Sequence, residues 1–154
     1  MITVRDMSKN DEIETPIEAL IPLLPYLPKD QAIWEMCPGS GVMVQHFMDA
    51  EYTVGYIGKD SLEYEPPWQW DIIVTNPPWS KKHLFLERCI KLGKPFALLL
   101  PVRTLGVRRC QKWLTHMDVL FLKRRVDFTG GGAPYEACAW FSRYLLPDRM
   151  VFET

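Results

Sequence analysis

The sequence lacks the features by which membrane and secreted proteins are recognised. No apolar run approaches the ~20 residues needed to cross a membrane. Residues 1–14 are polar and acidic and contain no apolar core of a signal peptide. We therefore expect a cytoplasmic protein without a membrane partner. The formal net charge of -1 also excludes a strong overall basic field of the kind that attracts nucleic acid non-specifically.

Metal-binding and disulfide patterns are missing too. The three histidines form no recognisable group, and no cysteine has a histidine partner at metal-ligand spacing. The cysteines are widely spaced, without a CxxC pair, at Cys37, Cys89, Cys110 and Cys138. We expect free, mostly buried thiols in a reducing compartment and no bound metal.

What the sequence does contain is an alternation of strand-like and helix-like apolar segments. Strands are predicted at 32–36, 52–57, 71–75, 95–100, 119–122 and 137–145, and helices at 16–24, 42–50, 80–92 and 105–114. Thr15 and Ser80 are the predicted N-caps, and Gly93 is a predicted helix end. Such alternation predicts an α/β fold with a mostly parallel sheet. The last two predicted strands have no helix between them, so we expect an antiparallel hairpin at the sheet edge. Residues 1–14 are predicted to be a flexible arm.

The most informative motif follows the predicted strand at 71–75. It consists of Asn76, Pro77, Pro78 and Trp79. Two prolines end the strand, because neither can donate a hydrogen bond to a sheet ladder. An amide, backbone carbonyls and an aromatic face thus come to the carboxyl end of a strand, where open α/β sheets bind ligands. This combination suits a planar ring that carries an exocyclic amino group.

A glycine-containing turn follows the first predicted strand, at residues 35–41. Gly39 and Gly41 permit a tight turn and close approach of the backbone to a ligand. A dinucleotide fingerprint would need a third glycine, but Val44 occupies that position. Glu35 would repel a phosphate. It suits a cationic ligand, such as the sulfonium and ammonium groups of S-adenosylmethionine.

With the two motifs in this order, the chain resembles the class I S-adenosylmethionine-dependent amino-methyltransferases, and in particular the small phage-type DNA N6-adenine methyltransferases. The similarity runs through residues 15–16, 35–41, 70–80, 93–101, 125–128 and 133–141. It implies a Rossmann-like sheet of seven strands with one antiparallel strand and helices on both faces. It also implies one catalytic domain over residues 15–154, without a separate target-recognition domain.

The resemblance assigns roles to individual residues. S-adenosylmethionine would be bound by Thr15, Pro16, Glu35, Cys37, Gly39, Gly41 and Asn76. The catalytic loop would consist of Asn76, Pro77, Pro78 and Trp79, with the tryptophan stacked on the base. Residues 52–64 are compressed relative to the family, and there Asp60 is the candidate for a contact with the cofactor's adenosine.

The reaction that these roles predict is methyl transfer to the exocyclic N6 of adenine in DNA. It is an in-line displacement on a flipped-out or single-stranded base. Basic residues that follow two strands are predicted to contact DNA phosphates: Lys81, Lys82, Arg103, Arg108 and Arg109. Target recognition would come from short loops, from these residues, or from a second copy or partner subunit.

Three alternatives remain open from the residues. In the first two, the acceptor would be an RNA adenine or a protein glutamine amide, because each has an amino nitrogen whose delocalised lone pair makes it a poor nucleophile. In the third alternative, the compressed segment around Asp60 marks a degenerate methyltransferase fold that acts as a binding or inhibitory module.

Overall fold

The described part of the chain is built around a sheet of seven strands. The computed structural model describes residues 14–129, 131–132 and 136–154, so nearly all of the predicted N-terminal arm lies outside the described residues. The strands are β1 (Ile33–Trp34), β2 (Val54–Gly55), β3 (Ile72–Thr75), β4 (Phe96–Pro101), β5 (Asp118–Phe121), β6 (Cys138–Arg143) and β7 (Met150–Phe152). The helices are α1 (Ile17–Leu20), α2 (Val42–Asp49), α3 (Lys82–Leu92) and α4 (Arg108–Leu114), with 3-10 turns at Leu24–Tyr26, Trp79–Lys81 and Val102–Gly106.

The strand order is β2-β1-β3-β4-β6-β5-β7. Strand β6 runs antiparallel to both of its neighbours, β4 and β5, and the remaining pairs are parallel. The predicted fold class is therefore confirmed. The predicted edge hairpin is wrong in its position, because β6 lies inside the sheet and β7, which was not predicted, forms the edge. Burial explains this, since β6 is almost wholly buried whereas both ends of β7 are exposed.

The two central strands bury both of their faces. In β3, Ile72 and Val74 pack into the core on one side of the sheet, and Ile73 packs into the core on the other side. The same alternation continues along β4, in which Leu98 and Leu99 face opposite cores. Successive side chains of a strand point to opposite faces, so a continuous apolar run places this part of the sheet between two layers.

Two predicted helix N-caps are corrected by the structure. The residue that precedes α1 is Pro16, and the residue that precedes α3 is Lys81; neither makes a side-chain capping bond. Thr15 and Ser80 therefore do not cap these helices. The predicted end of α3 is confirmed, because Gly93 adopts the left-handed conformation there with a φ of 76°.

The β2 edge of the sheet is covered by Trp68, and this contact requires a glycine at position 55. A Cβ added to Gly55 would lie 2.7 Å from Cζ2 of Trp68. We expect Gly55→Ala to lower the free energy of unfolding by about 1–3 kcal/mol, because the bulky indole must shift to relieve the overlap. Gly58→Ala is the matched control, since nothing lies within 4 Å of a Cβ at that position. Urea unfolding of both variants measures the difference, and equal stabilities would contradict the packing described here.

No helix in the described ranges is both long enough and apolar enough to span a membrane.

Candidate active site

The two motifs meet at the carboxyl ends of two neighbouring parallel strands. The 35–41 turn follows β1, and the 76–79 segment follows β3, its hydrogen-bonded neighbour. Glu35 and Asn76 line one cavity of about 120 Å³, together with Thr15, Cys37 and Gly39. The predicted proximity of the two motifs is thus a feature of the structure.

The glycine turn contains two glycines with positive φ and open space beside each of them. The Gly41 N–H donates to the Pro38 carbonyl at 2.7 Å and closes the turn just before α2 begins. Gly39 and Gly41 have φ values of 53° and 91°, a region that side chains rarely adopt. A Cβ at either glycine would meet nothing within 4 Å. The glycines are required here by the backbone conformation. Gly39 lines the cavity, whereas Gly41 does not, so the contact of Gly41 with the cofactor stays a prediction.

Glu35 is a buried carboxyl group in the wall of the cavity, only 1% exposed. Its Oε1 accepts the backbone N–H of Cys37 at 2.9 Å. Burial raises the pKa of Glu35 to about 7, against the smaller lowering effects of hydrogen bonds from Thr75 and from the Cys37 backbone. The group therefore exchanges its proton near neutral pH, and a cation in the cavity would favour the charged form.

Cys37 lies beside this carboxyl group and is held by its backbone. Its N–H also approaches Thr75 Oγ1 at 3.1 Å. Burial, followed by the charge of Glu35, raises the pKa of the Cys37 thiol, which keeps it protonated. All four cysteines are free and three of them are buried, as predicted. Within the described residues, no three His, Cys, Asp or Glu side chains are grouped so as to hold a metal ion.

Both polar atoms of the Asn76 side-chain amide are hydrogen-bonded. Its Nδ2 donates to Thr15 Oγ1 at 3.0 Å, and its Oδ1 accepts the indole N–H of Trp79, also at 3.0 Å. The same indole N–H approaches the Leu99 carbonyl at 3.0 Å. The Thr15 hydroxyl, predicted as a helix cap, is thus used to orient Asn76. Because an amide oxygen can accept two hydrogen bonds, Oδ1 retains capacity for a ligand.

Trp79 is partly buried and packs against the cores on both sides of the sheet. Its ring meets that of Phe128 edge to face, with centroids 5.7 Å apart and an interplanar angle of 84°. Pro77 is buried and Pro78 lines the cavity. The stacking of Trp79 on a base stays a prediction, but its indole N–H already has a structural role that the sequence analysis missed.

Asp60 lies outside the wall of the Glu35 cavity, in an exposed turn after β2. Its Oδ1 accepts the Leu62 N–H at 2.9 Å. The turn is fixed to the end of β1 by Ser61, whose hydroxyl donates to the Met36 carbonyl at 2.8 Å. Burial, then the charge of Glu35 and, with a smaller effect, the charge of Asp60 raise the pKa of Cys37. Its contact with adenosine stays a prediction.

The five predicted phosphate-binding residues do not line either of two cavities at this edge of the sheet, the Glu35 cavity and the larger one described next. Lys82 Nζ donates to the Trp79 carbonyl at 3.1 Å, and Arg103 forms a 2.7 Å ion pair with Glu136. Lys81 is exposed, and so are Arg108 and Arg109 at the start of α4. Their role in binding stays a prediction.

A groove of about 560 Å³ adjoins the Glu35 cavity and was missed by the sequence analysis. Its walls are residues 14–16 with Glu18, the segment 122–129 that follows β5, and Val42 and Glu153. Residues 14, 15 and 42 line both spaces. The charge run at 123–125 was visible in the sequence, but only the sheet topology brings it to the same edge as Asn76.

Comparison with solved structures bears on this architecture. A protein from Listeria monocytogenes described as a class I S-adenosylmethionine-dependent methyltransferase superposes with a TM-score of 0.63 over 99% of this chain and 67% of its own, at 13% identity. The fold is that of the class I methyltransferases. The 23S rRNA methyltransferase ErmE gives a TM-score of 0.56 over 88% of this chain and 71% of its own, at 13% identity.

A third structure, a dimethyladenosine transferase from Plasmodium falciparum, gives a TM-score of 0.55 at 11% identity, over 84% of this chain and 61% of its own. No protein-family model matches the sequence, and no curated protein matches it.

Proposed function

We propose that this protein transfers a methyl group from S-adenosylmethionine to the exocyclic N6 of adenine in DNA. One observation carries the proposal: a buried carboxyl group, Glu35, and an oriented amide, Asn76, line a single cavity at adjacent strand ends. The first suits a cationic methyl donor and the second suits an amino-group acceptor. The fold supports the reaction class, because it places both at the edge where open α/β sheets bind ligands.

The residues around the glycine turn fit the amino-acid end of S-adenosylmethionine. Glu35 is a buried carboxyl group without a described cationic partner, and the turn offers open space beside Gly39 and Gly41. At about 120 Å³ this cavity is smaller than the ~300 Å³ or more of an ordinary small-molecule pocket. It would hold only the methionine portion, through Thr15, Cys37 and Gly39, while Pro16 lines the adjoining groove and Asp60 is the proposed contact for the adenosine. When bound, the cofactor supplies a methyl group on a positively charged sulfur.

Asn76 would make the acceptor nitrogen more nucleophilic by accepting a hydrogen bond from it. The lone pair of an aromatic amino group is delocalised into the ring, so the nitrogen is a poor nucleophile. Hydrogen bonds from the amino group to Asn76 Oδ1 and to the Pro77 carbonyl would favour a pyramidal nitrogen whose lone pair faces the methyl group. The bond between the nitrogen and the methyl group would form as the bond from that methyl group to the cofactor sulfur breaks, and the nitrogen would then release a proton to solvent. Rate enhancement comes from positioning and electrostatics, without a general base before attack. A base in a duplex must flip out to reach this site.

An aromatic environment favours a base over a glutamine amide as the acceptor. Phe128 lines the groove and Trp79, which lines neither cavity, meets it edge to face; an aromatic face stabilises an unstacked base by about 1–3 kcal/mol. An RNA adenine is the second candidate. It is supported by the fold similarity to ErmE, a 23S rRNA methyltransferase, and to a dimethyladenosine transferase.

Transfer of a tritiated methyl group to separate pools of DNA, RNA and protein tests the substrate class. We expect label in DNA. Label in RNA alone or in protein alone would replace the proposed acceptor. Calorimetric titration with S-adenosylmethionine separates an enzyme from a degenerate binding module, which need show no affinity for the cofactor.

The indole N–H of Trp79 is expected to matter for turnover through Asn76. Trp79→Phe keeps an aromatic ring but removes the donor to Asn76 Oδ1 and the Leu99 carbonyl. We expect kcat to fall about tenfold, because a lost hydrogen bond of about 1–1.5 kcal/mol leaves the amide less well oriented, with cofactor affinity unchanged.

Trp113→Phe is the matched control for this variant, because the Trp113 indole makes no hydrogen bond to any residue in the described ranges and lines neither cavity. Steady-state kinetics of both variants separates kcat from KM. An unchanged kcat in Trp79→Phe would show that the indole N–H does not position Asn76.

A further inference from the structure

The groove beside the active site has a location that suits an extended part of the substrate. Strand β5 runs parallel to β4, since both are antiparallel to β6, and β7 runs parallel to β5. The segment 122–129 and Glu153 therefore leave the sheet at the same edge as Asn76. The groove shares Thr15 with the Glu35 cavity, and Thr15 is hydrogen-bonded to Asn76. A chain in the groove would lead directly to the proposed acceptor site.

The carboxylates of the groove are mostly engaged by donors of the protein itself. Glu14 accepts the hydroxyl of Ser40. Glu153 accepts the Lys123 backbone N–H at 2.9 Å. Asp127 accepts the N–H and hydroxyl of Thr129, at 3.1 and 2.9 Å, and the N–H of Gly132 at 2.7 Å. These bonds shape the loop that follows Phe128 and fix the orientation of these three carboxylates, whose negative charges remain.

The guanidinium groups of the groove are not engaged in this way. Arg124 and Arg125 are exposed, line the groove, and make no hydrogen bond or ion pair with any residue in the ranges that the structure describes. Lys123, next to them, directs its ammonium group to the Thr154 carbonyl at 3.0 Å. Two adjacent arginines on a groove wall offer ten N–H donors to an anion, and phosphate is the anion that guanidinium groups bind best in bidentate fashion.

We propose that this groove binds the single-stranded DNA that flanks the target adenine, with Arg124 and Arg125 in contact with its phosphates. A nucleic-acid strand suits both kinds of charge in the groove. Its phosphates would contact the arginines, and the amino groups of its bases can donate to Glu18, a groove carboxylate that no described residue engages. The inference rests on the proposed function. It assigns DNA contacts outside the set predicted from the sequence, which consists of residues 81, 82, 103, 108 and 109.

The test compares two double variants that each remove two exposed positive charges. Arg124→Gln/Arg125→Gln alters the groove wall. Lys91→Gln/Lys112→Gln, in the last turns of α3 and α4, alters two exposed residues that line neither cavity and are not among the predicted DNA contacts. Binding of a fluorescein-labelled, adenine-containing single-stranded DNA is measured by anisotropy over a range of salt concentrations. Affinity for S-adenosylmethionine and thermal unfolding are measured for each protein.

We expect the groove variant to bind DNA more weakly. The slope of log K against log salt should fall by about 1.4, because each phosphate contact to a single strand contributes roughly 0.7. Its cofactor affinity and thermal stability should be unchanged, and the Lys91→Gln/Lys112→Gln variant should keep the wild-type slope. Equal slopes in the wild-type protein and the groove variant, or an equal loss in both variants, would overturn the inference while leaving methyl transfer to DNA intact. Failure of the wild-type protein to bind or methylate DNA would instead overturn the proposed function as well.

Discussion

Replacing Asn76 with alanine is expected to lower kcat for methyl transfer by about 100- to 1,000-fold, the usual effect of removing one preorganised polar group that acts in the transition state. The amide oxygen lies at the cavity with one hydrogen bond from Trp79 and capacity for a second. Its removal deprives the acceptor nitrogen of the contact that exposes its lone pair. Cofactor affinity should change little, since the charge of Glu35 remains.

Gln45→Ala is the matched control, because it also removes a side-chain amide, one that is exposed on α2 and bonded only to Asp49 in the described structure. Single-turnover rates with saturating cofactor, together with calorimetric affinities, measure both effects. If Asn76→Ala retained near-normal turnover on every substrate tested, the role assigned to the amide would be wrong.

Replacing Glu35 with glutamine is expected to weaken S-adenosylmethionine binding by about 10- to 100-fold at pH 8, since hydrogen bonds to a charged group contribute about 1.5–3 kcal/mol. The effect should depend on pH. Burial raises the pKa of Glu35 to about 7, so part of the wild-type protein must lose a proton to bind a cation below that pH. Wild-type affinity should therefore rise between pH 5.5 and 8, and the affinity of Glu35→Gln should not.

The stability of the unliganded wild-type protein should fall as the pH rises, whereas its affinity for the cofactor should increase. In an unfolded chain Glu35 ionises near pH 4.5, but in the folded protein it ionises near 7. Its contribution to stability is therefore fully present below pH 4.5 and is lost as the pH rises to about 7. This shift corresponds to roughly 3 kcal/mol. Glu35→Gln should unfold with less pH dependence and be no less stable than wild type at pH 8.

Glu65→Gln, at an exposed position, is the control for both measurements. A wild-type affinity that is flat between pH 5.5 and 8, or a Glu35→Gln variant that is less stable at pH 8, would contradict the environment described for this carboxyl group.

The centre of the sheet was predictable from the sequence, and its edge was not. The predicted strands at 71–75 and 95–100 match β3 and β4 to within one residue at each end, because continuous apolar runs mark strands buried on both faces. Strand β7 has three residues, Met150–Phe152, which is too short for any periodicity to show. The insertion of β6 between β4 and β5 is a long-range pairing, which local patterns do not encode.

For the site, the positions of the motifs were predictable and their hydrogen bonds were not. Glu35 and Asn76 follow parallel strands, so topology alone brings them to one edge. The sequence predicts Thr15 as a helix cap from a local rule. In the structure its hydroxyl instead accepts a hydrogen bond from Asn76, 61 residues away. The second function of Trp79, donation to Asn76, also depends on packing that brings Leu99 and Phe128 beside it.

The most direct test of the central claim is the chemical identity of the product. Wild-type protein is incubated with S-adenosylmethionine and adenine-containing single-stranded DNA, the DNA is digested to nucleosides, and the nucleosides are separated and identified by mass spectrometry, with Asn76→Ala in parallel. We predict N6-methyl-2′-deoxyadenosine from the wild-type protein and at most trace amounts from the variant. A protein that binds the cofactor and the DNA but forms no methylated adenine, or equal product from Asn76→Ala, would contradict this account.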